Sequence, residues 1–174
     1  MAHMPKSIQA FVRWVDALNT KVGYFSMYLV FAMTGVLLYE SLSRTLFDQP
    51  HIWVVEIAQF IMAAYYLLGG GYSMILKGHV RMDLLYGRWS VRKQAVMDMI
   101  TMPFLLFYLI FLLWGGISSL QYAIEYKQVN YTSWAPLLWP IKLIMVIGIV
   151  LMLLQAIATF FKDLEKAIKG EETT

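Results

Sequence analysis

The chain reads as an all-α integral membrane protein with four transmembrane helices. Three observations predict this: its composition, four apolar runs of spanning length, and positive charge confined to alternate connections. Of 174 residues, 60% are hydrophobic and 14% charged, and the mean hydropathy is +0.61. A soluble domain carries about 45–50% apolar and about 25% charged residues. This chain therefore has too few polar side chains to cover a water-facing surface, and lipid is its solvent. There are no cysteines, so disulfides and thiolate metal sites are excluded.

The apolar runs cover residues 22–47, 52–76, 95–124 and 136–161. Each exceeds the roughly 20 residues that cross about 30 Å of hydrocarbon. Charge is sparse within them: Glu40 and Arg44 late in the first, then Glu56, Asp98 and Lys142 near the starts of the others. None alternates as a barrel strand does, and a helix satisfies its own backbone groups in lipid. The whole chain, 1–174, reads as a single membrane domain. The short, dense KGHVRMDLLYGRWSVRK segment, within the loop 77–94, joins the second and third runs.

Lys and Arg are retained on the cytoplasmic side of short membrane loops. The N-terminal segment, the central loop and the C-terminal tail together hold eleven of them, whereas the two opposite connections share only Lys127. Both termini and the loop 77–94 are therefore expected inside. Trp53, Trp134 and Trp139 then fall at the outer headgroup level and Trp89 at the inner one, as an aromatic belt. The net charge of +3 sits beside hydrophobic ends, which suits anionic headgroups and not nucleic acid.

Ahead of the first run, Ile8, Phe11, Val12, Val15 and Leu18 recur at helical spacing, with Arg13, Asp16 and Asn19 mostly elsewhere around the helix. This is the pattern of an N-terminal amphipathic interfacial helix on the inner leaflet. A cytoplasmic extension of the first span fits equally well. Met1–Met4 reads as a tag remnant, so His3 is set aside. Residues 1–21 lack the apolar core and small-residue cleavage site of a signal peptide.

Glu40 and Arg44, four apart, share a helix face and can pair, and Glu56 can approach Arg44 from the next helix. Ionisable groups in a membrane seek protein partners or water. A structural network is the preferred reading of these three, because Arg44 would keep a neighbouring carboxylate ionised. A proton site of a small exporter is the alternative. His51 and His79 stand at opposite ends of the second run and cannot ligate one haem. Gly69–Gly71 suggests a tight helix contact or a bend. Pro103 is expected in the first turns of the third helix, where its missing donor costs least, and Pro136 and Pro140 at the start of the fourth. No phosphate loop, metal-ligand spacing or nucleophile motif is present, so neither an enzyme nor a cofactor or metal site is expected.

Gly78-His79-Val80-Arg81-Met82-Asp83-Leu84-Leu85 resembles the G-H-[IV]-R-[VM]-D-L-L loop of the small membrane subunits of tripartite ATP-independent periplasmic (TRAP) transporters. Arg44 ending the first span and Trp53-Val54-Val55-Glu56 opening the second support the resemblance. Where that family often has two consecutive acids, this chain has Val55-Glu56. The resemblance implies an accessory scaffold subunit in the bacterial inner membrane. Its partners would be a large transmembrane transport subunit, which holds the sodium and substrate sites, a periplasmic substrate-binding protein delivering an organic acid, and membrane lipids. Glu40, Arg44, Glu56, His79, Arg81 and Asp83 are the structural and assembly candidates, and Arg44, Glu56, Arg81 and Asp83 are expected to serve assembly and anchoring. The rival reading is a stand-alone four-span proton-coupled exporter.

Overall fold

The computed structural model describes residues 6–76 and 91–169. Among these, four helices are long and apolar enough to cross a membrane, and no strands form beyond one isolated bridge. They are α1 (Lys6–Phe47), α2 (Ile52–Ile75), α3 (Val91–Glu125) and α4 (Trp139–Lys169). α1 pairs with α2, α2 with α4, and α4 with α3, while the start of α1 also reaches α4. α4 is thus the central helix. A third of its most apolar window is buried (33%) against 11% for α1, so most of the apolar surface of α1 faces outward.

α1 and α2 meet head to tail, whereas α2 and α4 run alongside in the same direction, as the pairings Leu67–Gly148 and Gly70–Met152 require. The α1–α2 turn and the α3–α4 connection therefore share one end of the bundle. The start of α1, the end of α2, the start of α3 and the end of α4 share the other. Trp53, Trp134 and Trp139 accordingly lie at one end of the bundle.

Three boundaries depart from the sequence pattern, for one reason: hydropathy marks where lipid would begin, not where a helix ends. α1 runs unbroken from Lys6 for 42 residues, about 63 Å at 1.5 Å per residue. The N-terminal segment is therefore a helical extension of the first span, the second of its two readings, and no separate interfacial helix. Its apolar face is turned onto α4, where Val12, Val15 and Ala158 form a buried cluster flanked by Ile8, Phe11, Leu154 and Phe161. α3 begins at Val91, inside the segment assigned to the basic loop, because Arg92 and Lys93 are themselves good helix formers. Pro103 consequently lies in the helix interior and not in its first turns. α4 opens at Trp139, so Pro140 sits in its first turn, where its fixed φ suits the helix and its missing donor costs nothing.

The glycine triplet is a contact, not a bend, since α2 continues through it. A Cβ on Gly70 would stand 2.7 Å from Met152 Sδ, and one on Gly71 would overlap Asn19 Oδ1. Gly148 answers from α4, where a Cβ would come within 2.6 Å of the Leu67 carbonyl oxygen. Gly23 lets the Tyr72 ring lie directly on α1. Small residues allow backbones to approach where hydrophobicity provides no drive for association. A Cβ added at Gly35, Gly69 or Gly115 would meet nothing within 4 Å, so only some of the glycines are used this way.

Candidate functional site: a polar framework at both ends of the bundle

At the end shared by the two short connections, Glu40 and Ser43 close the α1–α2 turn. α1 ends at Phe47 and Asp48 takes a left-handed conformation (φ 49), which Asp tolerates better than most residues. The chain then turns back at His51, and its backbone N–H donates to both Glu40 oxygens at 3.1 and 3.2 Å. The His51 ring follows, with Nδ1 3.3 Å from Glu40 Oε2, close but without hydrogen-bond geometry. Tyr39 and Trp53 pack against that ring at centroid distances of 5.5 and 5.9 Å and against each other at 6.3 Å, so the three rings form one cluster. Ser43 Oγ donates to the Gln49 carbonyl at 3.3 Å. A carboxylate accepting from a backbone donor makes a charge-assisted bond of about 1.5–3 kcal/mol. Glu40→Ala is therefore expected to speed amide exchange at His51 by at least about tenfold, read by hydrogen–deuterium exchange. Unchanged exchange there would show the turn to be held by its backbone alone.

The pairing expected from spacing does not form. Glu40 is taken by His51. Arg44 is exposed and makes no ion pair with Glu40 or Glu56 among the described residues. Glu56 lies inward at 4% exposure, between buried Val54 and Ala58, and neither of its carboxylate oxygens has a hydrogen-bond partner among the described residues. A buried polar group without a partner is costly. His79, Arg81, Asp83 and Trp89 lie outside the described residues.

The same end carries the α3–α4 connection, closed as a small hairpin. Asn130 N–H donates to the Pro136 carbonyl at 2.9 Å and Leu138 N–H to the Gln128 carbonyl at 2.9 Å, with Val129 bridged to Leu137. Lys127 and Ala135, at its corners, have positive φ of 44 and 46. Lys142 Nζ reaches from α4 to Gln128 Oε1 at 2.7 Å and to the Ser119 carbonyl at 3.2 Å. Tyr131 at the tip is 98% exposed and Trp134 45%. Lys142 is thus a tether, a role its position in an apolar run did not reveal.

At the opposite end, a buried relay joins three helices. Asn19 on α1, fully buried, donates through Nδ2 to Gln155 Oε1 on α4 at 3.0 Å and to the Val15 carbonyl at 3.2 Å. Gln155, also fully buried, donates through Nε2 to Asp16 Oδ1 at 2.9 Å. Asp16 then accepts from Lys162 Nζ at 2.8 and 2.6 Å. Asn19 Oδ1 abuts Gly71 of α2, so all three helices meet there. The amphipathic pattern places Asp16 and Asn19 on the solvent side of an interfacial helix. The relay is instead the seam between α1 and α4, and no motif marks it, because its members are 136 to 146 positions apart.

Four helices long and apolar enough to cross a membrane, joined by side-chain clasps and with wide apolar faces left outward, define a protein of the multi-pass membrane class. The family comparison agrees. The chain belongs to the DctQ component of the tripartite ATP-independent periplasmic transporters, whose family model matches residues 33–166. That family is a transporter component, not an enzyme family, and with the four apolar helices it points to a multi-pass inner-membrane protein. A comparison with curated proteins finds no match.

Proposed function

We propose that this chain is the accessory, scaffold-widening subunit of a sodium-driven transporter for an organic acid. A periplasmic binding protein delivers the substrate, and a large membrane subunit holds the substrate and sodium sites and moves. This chain, a single membrane domain needing no cofactor and performing no catalysis, packs beside the fixed part of that subunit. One observation carries the reading: the space between α2 and α4, where a path through this chain alone would run, is filled by direct contact at Gly70, Gly71 and Gly148. A subunit built so tightly is suited to bracing and not to opening. Both termini face the cytoplasm, on the strength of the Lys and Arg distribution. The hairpin around Tyr131 then faces the periplasm, where its exposed aromatic tip helps to dock the binding protein.

Arg44, Glu56, Arg81 and Asp83 serve assembly and anchoring in this reading, with His79 orienting the basic loop. Co-purification with the neighbouring large membrane protein tests it. Arg44→Ala or Arg81→Ala is expected to lower complex yield severalfold while leaving the sodium dependence of the remaining complex unchanged. Glu56→Met is expected to leave the isolated chain as stable or more so, since it removes an unpartnered buried acid, yet to reduce assembly. Intact assembly with altered substrate selectivity would contradict the proposal. So would solute movement down an ion gradient in vesicles holding this chain alone, the behaviour of a proton-coupled exporter.

A further inference from the structure

The first part of α1, residues 6–32, precedes the segment matched by the family model. Packing on α4 sorts its residues into two faces. Val12 and Val15 go inward, and Asp16, the one acid of this stretch, is paired with Lys162 and accepts a hydrogen bond from Gln155. At 100° per residue, Lys6, Arg13, Trp14, Ala17 and Lys21 share an arc of about 100° on the opposite side. All five are exposed, Trp14 at 58%. No acid lies on that arc, and among the described residues none of its three cations forms an ion pair. The arc continues directly into Tyr24, Phe25 and Tyr28, exposed rings of the spanning part.

We propose that this face binds anionic phospholipid headgroups, with Arg13 and Lys21 taking the phosphates and Trp14 seated between headgroup and acyl chain. Arg13 and Lys21 are about 12 Å apart along the axis, and their long side chains can extend toward one headgroup layer from either side of it. Arginine's planar fork matches phosphate oxygens, and tryptophan favours the boundary where one side is apolar and the other wet. The charge is complementary, and withdrawal of Asp16 into the α4 seam removes the one group that would oppose it. The lipid contact is thus the basic, outward face of the helix. The apolar face that an interfacial helix would offer is already occupied by α4.

The test is fluorescence of the full chain in nanodiscs of phosphatidylcholine, into which brominated phosphatidylglycerol or brominated phosphatidylcholine is diluted at equal mole fraction. The Trp14 contribution is the difference between the wild-type chain and Trp14→Phe. Each cation near an anionic surface favours it by about fivefold, so brominated phosphatidylglycerol is expected to quench Trp14 severalfold more effectively. Arg13→Gln with Lys21→Gln is expected to bring the ratio to about one. Equal quenching of the wild-type chain by both lipids would overturn the proposal. So would quenching by neither, which would place the face in water, or a Trp14 signal that responds only to an added protein partner, which would assign the face to an acidic protein surface.

Discussion

Replacing Gly148 by leucine is expected to separate α2 from α4 and to cost about 3 kcal/mol, the upper part of the usual range for overpacking. The reason is the identity of the neighbour. A Cβ at this position would lie 2.6 Å from the Leu67 carbonyl oxygen and 2.9 Å from its carbonyl carbon. Backbone cannot rotate aside as a methionine side chain can, so the helices themselves must move. Gly70, whose Cβ would meet the flexible end of Met152, is expected to tolerate alanine better than Gly148 does. Thermal unfolding of the purified protein in detergent is the measurement, and a fall of roughly 10 °C is expected for Gly148→Leu. Gly35→Leu is the control, since nothing lies within 4 Å of its Cβ, and it should leave the midpoint within about 2 °C. Equal effects at both positions would mean that α2 and α4 do not approach as closely as Gly148 and Leu67 place them.

Gln155→Leu is the second large effect. Gln155 is the middle of the relay, accepting from Asn19 and donating to Asp16. Removing it leaves a buried amide and one side of a carboxylate short of partners, at about 1–3 kcal/mol for each unmet group. A loss of about 2–3 kcal/mol is therefore expected. Lys162→Met removes only the outer ion pair, whose two side chains are each 29% exposed, and such a pair contributes no more than about 1 kcal/mol. A double-mutant cycle with Asn19→Ala separates a relay from two independent sites. Coupling above about 0.5 kcal/mol is expected for the pair. Strict additivity of Asn19→Ala and Gln155→Leu would show that the two amides act separately.

Both effects arise where α4 meets its neighbours, and neither is visible in the chain's pattern. Glu40 and Arg44 share a face by spacing, yet Glu40 turns to His51, because the reversal after Phe47 brings a backbone N–H within 3.1 Å of its carboxylate. Spacing on one helix says which side chains are neighbours there. It says nothing of a stronger donor delivered by a turn. Asn19 and Asp16 sit among apolar residues whose period fits an interfacial helix, and only the arrival of α4 shows that face to be a protein seam.

The solvent, the number of spans and the family were all legible in the order of the residues. These depend on composition and local patterns: runs of apolar side chains longer than a bilayer is thick, the Lys and Arg bias, and a loop motif. Three-dimensional packing was needed to show which helices touch, that the N-terminal segment belongs to α1 and leans on α4, and that the glycine triplet is a contact. It also determined which acids find partners and that Glu56 finds none among the described residues. The difference is one of range. Hydrophobicity and helix formation act within a few residues or turns of the chain, whereas the relay and the glycine contacts require groups far apart in sequence to meet within hydrogen-bond or van der Waals distance.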